Sequence, residues 1–309
     1  MTIQKTFSAL GNRFWGRLAR ERLLVIAAPY LWLGLFSLIP FILVVKISLS
    51  KAVLAIPPFH PLFQWSVEQV LHLRLNLASY NILLTDPFYA SAFISSLKIA
   101  FIATLSCLLI GYPVAYAIVQ ASPRWRPVLL LLIILPFFTS FLVRVYAWIG
   151  LLSTEGVINT FLQWLGLIHE PLPLLYNSFA VTIGIVYCYL PFMILPIYSV
   201  LDKIDPTYQE AAYDLGCRPW RAFFCITVPL SYPAIIAGSI LVFVPAVGEF
   251  VIPELLGAPE TLMIGRVLWS EFFNNHNWPL ACALALVMLA IFVVPFVIFQ
   301  RFQLSVKEE

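Results

Sequence analysis

The sequence predicts an all-α integral membrane protein with six transmembrane helices. Of its 309 residues, 61% are hydrophobic and 11% charged, against roughly 45–50% and 25% in soluble domains. Six apolar runs, at about 23–45, 93–120, 128–148, 179–201, 233–256 and 279–300, are each long enough to cross a hydrocarbon core of about 30 Å. The Lys and Arg residues between them collect in alternate connections, which gives the chain a direction across the bilayer.

Residues 1–22 hold Lys5, Arg13, Arg17, Arg20 and Arg22 against Glu21, a basic tail that stays in the cytoplasm. The run 23–45 is long enough to span, whereas a secretory signal would carry a shorter apolar region with a small-residue cleavage site after it, so it reads as an uncleaved first span. The connection 50–92 carries Pro57, Pro58 and Pro61, then a stretch around Trp65–Leu75 too polar to span. Between the third and fourth runs, Ile158, Phe161, Leu162 and Leu165 recur at helical spacing and Gly166 can end the helix; such a stripe suits a membrane-surface helix or a cover on the bundle. After Gly257-Ala258-Pro259, residues 260–273 can form a similar helix ending at Asn274-Asn275. With the N-terminus inside, twelve Lys and Arg fall in inner segments and three, Lys51, Arg74 and Arg266, in outer loops. The division is a cytoplasmic tail at 1–22, one transmembrane domain at 23–300 with a cytoplasmic loop at 202–232, and a cytoplasmic tail at 301–309.

The loop 202–232 is the most informative stretch. Asp205 is a good N-cap, Pro206 suits the first helical position, and Gly216 can take the left-handed conformation that ends a helix, so 206–215 should be a short helix. A second should start at Pro219, carry Trp220, Phe223 and Phe224, and stop at Pro229. The first helix bears an apolar stripe of Tyr208, Ala211, Ala212 and Leu215. At about 15 Å it is marginal alone, so the stripe needs cover, either from its own bundle or from another protein. Glu210-Ala211-Ala212, three residues, Gly216, nine residues, Ile226, one residue, Val228-Pro229 resembles the coupling-loop signature of ABC-importer permeases, with Val228 where the family usually has Leu. The resemblance implies a type I ABC-importer permease fold, with Glu210, Ala211, Ala212, Leu215, Gly216, Ile226 and Pro229 in a finger that enters a groove of a separate ATPase subunit.

Several chemistries are excluded. No Gly-x-x-x-x-Gly-Lys-Ser/Thr run is present, so ATP and its Mg ion belong on a partner chain and this chain carries no cofactor. A net charge of +3 with scattered basic residues gives no nucleic-acid surface. His60, His72, His169 and His276 stand in outer loops, separated by more than a helical turn, and the cysteines are Cys107, Cys188 and Cys282 in apolar runs and Cys217 and Cys225 in the loop, so neither a metal site nor a disulfide is expected. No nucleophile, base and acid constellation marks an enzyme.

Ionisable groups inside apolar runs are costly and so informative. Lys46 and Lys98 lie near the ends of theirs and can snorkel. Arg144 and Glu249 each stand sixteen positions from the inner end of their run, about 24 Å along a helix. Two readings are open for them: a structural ion pair, or a carboxylate lining a cation path with Arg144 orienting it. Glu254 is five positions beyond Glu249, where it is either solvated or part of the same path. Tyr146, Trp148, Tyr187 and Tyr189 supply aromatic faces that can hold an alkylammonium.

Beyond the loop, the runs 135–148 (LPFFTSFLVRVYAW) and 245–257 (PAVGEFVIPELLG), with Met263-Ile264-Gly265-Arg266 and Trp278-Pro279, resemble permease subunits of polyamine ABC importers, most closely the putrescine type. The resemblance covers about residues 23–300. It implies a bacterial inner-membrane complex of two permease subunits, usually different, two ATPase subunits and an extracytoplasmic polyamine-binding protein, surrounded by lipid. Spermidine or another cationic solute is the alternative cargo. A self-contained carrier or membrane enzyme is the alternative class, and it would need several titratable midplane groups or a reactive constellation.

Overall fold

A computed structural model of the chain describes residues 26–27, 29–53, 55–60, 63–65, 71–73 and 75–307, with side chains at all of these except 63–65, 71–73 and 294–307. The basic tail expected at 1–22 lies outside the described residues. Internal contacts divide the chain into two units, residues 1–81 with 276–309, and residues 82–275.

In the first unit, helix α1 (Pro29–Ser48), which includes a π turn at Gly34–Leu38, packs along the terminal helix α12 (Trp278–Lys307). Tyr30, Leu31, Trp32 and Phe36 are all more than half exposed, so α1 is apolar around its circumference, as a helix in lipid must be. The connection after it contains a short antiparallel hairpin, β1 (Phe63–Trp65) with β2 (Leu71–Leu73), in register Phe63 to Leu73. The Tyr80 hydroxyl donates to Ser48 Oγ at 2.9 Å, and the Phe59 and Trp278 rings lie 6.1 Å apart. Helix α12 runs on to Lys307, past the expected boundary at residue 300.

Helix α2 (Ala78–Thr85) runs across the boundary into the second unit, whose frame is a set of three long helices. These are α3 (Pro87–Gln120), α7 (Ser178–Leu201) and α9 (Pro219–Val247), each packed on the other two. Helix α3 begins six residues before the expected run, because Asp86 accepts from the Phe88 amide and Pro87 needs no donor at the first position. Cys107, Tyr112, Ala115 and Ile118 of α3 meet Met193, Ile194, Ile197 and Leu201 of α7 and Ala234 and Val242 of α9. Water is not the competitor for these surfaces in a bilayer, so close packing and interhelical hydrogen bonds hold them. Gly111 and Gly238 admit the Met193 side chain from two sides, where added Cβ atoms would meet it at 3.1 and 2.9 Å. Tyr112 and Ser231 share a buried hydrogen bond of 2.9 Å, worth about 0.6–2 kcal/mol between membrane helices.

Two expected spans differ from single helices. The run 128–148 is α4 (Arg126–Ile134) continued by a 3-10 turn at Leu135–Phe138, then a break, then α5 (Phe141–Leu152). Thr139 is extended there; its hydroxyl bonds the Pro136 carbonyl at 2.7 Å, offering the backbone an alternative to the helix. The run 233–256 is likewise broken. Helix α9 ends at Val247, residues 248–250 are non-helical, and α10 spans Val251–Leu256. A continuous helix would need an amide at Pro253 for the Glu249 carbonyl, and the ring would collide with it; in a new helix Pro253 falls in the first turn, where no donor is required.

At its other end α9 starts at Pro219, so the expected stop at Pro229 does not occur. A π turn at Phe223–Thr227, with the Val228 amide bonded to the Phe223 carbonyl, widens the backbone just before Pro229 and relieves the clash of its ring. The second helix of the loop and the fifth span are therefore one rod. Among the described residues five helices are long and apolar enough to cross a membrane: α1, α3, Phe141–Trp164, α7 and α9, with Arg126–Phe138 and Trp278–Val293 as shorter apolar helices. The connecting helices α6 (Val157–Trp164), stopped by Gly166, and α11 (Ile264–Phe273) stand within the stretches that the sequence assigned to them.

Candidate functional site

The loop 202–232 folds as a finger built from local signals. Asp205 accepts from the Thr207 amide at 3.0 Å and so caps α8 (Thr207–Asp214). That bond, made by the backbone and reinforced by the Thr207 side chain, holds the Asp205 carboxyl below its ordinary pKa. Gly216 has φ +78, its amide bonds Tyr213 O, and the Cys217 amide reaches back to Ala212 O at 2.9 Å, the paired closure of a Schellman motif. Arg218 is extended, and Pro219 starts α9.

This geometry leaves the apolar stripe uncovered by its own chain. Tyr208, Ala211 and Leu215 are exposed and Ala212 is half-buried, and Trp220 and Phe224 on α9 are exposed too. Leu215 is 89% exposed, a large apolar side chain held out from the bundle. Glu210 and Pro229 are exposed, and Ile226 is half-buried. The finger is anchored from behind. Gln209 Nε2 donates to the buried Thr227 hydroxyl at 2.8 Å, tying α8 to the π turn. Arg126 bonds the Val119 and Ala121 carbonyls at the end of α3 and pairs with Asp202 at the end of α7, at 2.8 Å. Each partner of that ion pair is about a third exposed, so it orients the finger's root more than it stabilises, at about 0.2–1 kcal/mol. A cavity of about 400 Å³ lies between finger and bundle, lined among others by Tyr116, Asp202, Gln209, Glu210 and Tyr213.

The second cluster forms around the break between α9 and α10. Glu249 is buried, 8% exposed, and both of its oxygens are engaged. Tyr189 on α7 donates to Oε2 at 2.6 Å, while Oε1 accepts from the Phe250 and Val251 amides at 3.2 and 3.0 Å, at the start of α10. The ion pair with Arg144, one of the two readings open from the sequence, is absent. Among the described residues the ion pairs are Arg126–Asp202 and Arg266–Glu254, so Glu254 is neither free nor simply solvated. Arg144, 9% exposed, lies over the Phe137 and Phe141 rings at 4.9 and 5.6 Å, and its Nε and Nη1 have no hydrogen-bond partner. The broken third run explains the failure of the depth argument: with a non-helical link at 139–140, counting 1.5 Å per residue from Val128 no longer locates Arg144.

The aromatic residues separate. Trp148 and Tyr187 meet edge to face at 5.5 Å, Tyr189 serves Glu249, and Tyr146 is 58% exposed on another side of α5. Helix α11 presses on the same break: an added Cβ at Gly265 would collide with the Gly248 and Glu249 carbonyls. It is held there by the Ile264 amide donating to Ser96 Oγ at 2.7 Å and by Tyr89 donating to Glu271 at 3.1 Å. Sequence reasoning missed Ser96, Tyr89, Glu271 and the Arg266–Glu254 pair. Met263-Ile264-Gly265-Arg266 stood out only as part of a resemblance, not for the contacts it makes.

Comparison with known proteins agrees with this architecture. Residues 107–307 match the family model of the binding-protein-dependent transport system inner membrane component. The spermidine/putrescine transport system permease protein PotB of Haemophilus influenzae is 36% identical over 278 residues, covering 90% of this chain and 92% of the relative. PotB of Escherichia coli K12 is 41% identical over 218 residues, 71% of this chain and 79% of the relative. The inner membrane ABC transporter permease protein YdcU of Escherichia coli K12 is 33% identical over 228 residues, covering 69% and 72%. Among solved structures, a bacterial ABC transporter that imports the acidic polysaccharide alginate superposes with a TM-score of 0.67 at 17% identity, over 94% of this chain and 98% of that one, which shows a shared fold. Proteins of this kind are multi-pass components of the bacterial inner membrane that catalyse no reaction themselves, ATP being hydrolysed by a separate subunit. The chain belongs to the binding-protein-dependent transport system inner membrane components, the permease subunits of ABC importers.

Proposed function

We propose that this permease carries a linear polyamine, putrescine first and spermidine as the rival, into the cytoplasm. The observation that carries the reading is the 36% identity, over 90% of the chain, to a permease named for both compounds. A buried carboxylate beside Tyr189 and an aromatic pair at Trp148 and Tyr187 are consistent with a path for an alkylammonium. Glu249 supplies a carboxylate there, engaged in this structure by Tyr189 and the first amides of α10, and Glu254 with Arg266 lies further along.

The finger is the coupling element. An exposed stripe on a helix closed by Gly216, with small Ala211 and Ala212 permitting close approach, fits insertion into an ATPase groove. Because α8 is joined through Gly216 to the α9 rod, a push on the finger is delivered directly to a membrane span. The remaining partners are a second permease and an extracytoplasmic binding protein. Both termini and the finger face the cytoplasm, with 1–22 and 301–309 as tails of one transmembrane domain.

The deciding experiment is uptake into proteoliposomes holding the whole complex. Labelled putrescine and spermidine should accumulate with ATP inside and binding protein outside. Accumulation of neither, with ATPase stimulation by another solute, overturns the polyamine assignment. Topology is read in a background without native cysteines: cysteines placed at Ser153 and Asn275 should react with an impermeant thiol reagent from outside, and one at Ser305 should not. The reverse pattern removes the cytoplasmic finger.

A further inference from the structure

Arg144 is left unexplained by its surroundings. The residue is 9% exposed, its guanidinium lies over the Phe137 and Phe141 rings, and the buried Nε and Nη1 have no hydrogen-bond partner. A buried cation so placed is costly unless some state of the protein supplies its partner. Those two atoms are closed off from the molecular surface, so a second subunit cannot reach them while this packing holds. The partner must come from within the unit. Its buried acids are Glu249 and Glu271, and Glu271 stands on α11, held by Tyr89. Glu249 stands at the start of α10, which packs on both α5, the helix of Arg144, and α7.

Glu249 is also placed to move. It belongs to the non-helical link 248–250, and α10 ends at extended Gly257, so a six-residue helix is jointed at both ends. We propose that Glu249 alternates between two sets of partners during transport. In the conformation of this structure it is held by the Tyr189 hydroxyl and the first amides of α10. When ATP drives the finger and the α9 rod, the link turns and the carboxylate passes to Arg144, latching α10 against α5. Arg144 is thus a positioning residue, and its missing hydrogen bonds belong to the second state. The inference rests on the chain being an ATP-driven importer permease and is independent of the cargo.

The test uses the full complex with its ATPases, second permease and binding protein. Arg144→Met should leave the melting temperature of the nucleotide-free complex unchanged or raised, since an unpartnered charge is removed, while uptake falls at least tenfold. Arg144→Lys should recover part of the uptake. Unchanged uptake in Arg144→Met, or a lowered melting temperature with uptake lost only in proportion to assembled complex, overturns the latch in favour of a static role. A second arm needs no cargo and no intact Arg144. In a background without native cysteines, the pair Arg144→Cys and Glu249→Cys should be bridged by a short bifunctional thiol cross-linker when the complex is trapped with ATP, Mg and vanadate, and not in the nucleotide-free complex, since an Arg–Glu pair holds its Cα atoms farther apart than a disulfide spans. Equal cross-linking in both conditions, or none in either, overturns the proposal.

Discussion

The finger and the Glu249 cluster belong to the same compact unit and are built on opposite principles. In the finger, the contacts that set its first helix and its turn span a few residues, and the apolar side chains are left outside. Around Glu249, besides the adjacent amides of α10, the contacts that join elements link residues 60 to 182 positions apart, and the polar side chains are taken inside. A region that must present itself to another protein is best prefolded by its own sequence, since nothing else orders it before the partner arrives. A region that must open and close is better held by tertiary contacts, which are made and broken as units. The two respond to substitution differently: the finger should lose coupling with little loss of stability, and the groups that hold Glu249 in this structure should lose stability first.

The largest effect that separates them is expected at Gly216. Its φ of +78 is a conformation that a β-branched side chain resists. Nothing within 4 Å would obstruct the new Cβ, so the damage is confined to the backbone of the turn. Gly216→Val should abolish binding-protein-stimulated ATP hydrolysis and co-purification with the ATPase, while the permease still inserts and melts within a few degrees of the parent. Normal co-purification with normal stimulation would end the coupling assignment.

Next in size is Tyr189→Phe, which probes the other region. It removes the donor to a buried carboxylate oxygen and leaves the packing of the ring. Leaving a buried acceptor short of its partner costs about 1–3 kcal/mol. A drop of several degrees in the melting temperature of the detergent-solubilised complex is expected, with ATPase binding retained. An unchanged melting temperature would place Glu249's stability in the α10 amides alone.

Arg126→Gln should do less. Arg126 joins the ends of α3 and α7 under the finger, but it and Asp202 are each about a third exposed. The expected outcome is at most about 1 kcal/mol of stability and a twofold to threefold fall in ATP-dependent uptake, since the root of the finger loosens. A loss as complete as that of Gly216→Val would move the coupling pivot from the turn to the root.

The same contrast decided what was legible in advance. Asp205, Gly216 and Pro219 carry their consequences within a residue or two of themselves, so both helices of the finger and the turn between them follow from the sequence. Pro229 misled because its local meaning, a stop, was overridden by a π turn that no residue pattern announces. In the cluster, the apolar runs marked which segments are membrane helices but not where they break. Pro253 carried that signal for the 248–250 link through its missing donor to Glu249. Arg144 and Glu249 were recognised as costly, yet pairing them by depth assumed straight helices. Tyr189, Ser96 and Glu271 act across the fold, and spacing says nothing about them.

The smallest effect lies back in the finger, at the cap of α8, and tests how far its order is local. Asp205 caps through a carboxylate whose pKa is held down by the Thr207 amide. A group with a depressed folded pKa contributes stability above its unfolded value, near 3.9, and that contribution is lost as pH falls through the lower folded value. Protection of the Thr207 region against hydrogen exchange, corrected for the intrinsic rate, should therefore be level above about pH 5 and decline by at most a few-fold in the acid range below 4. Asparagine caps without titrating, so Asp205→Asn should hold its protection flat through the same range. Parallel declines in both proteins would mean that acid loosens the finger through its attachment to the bundle, and the finger would then share the long-range character of the Glu249 cluster.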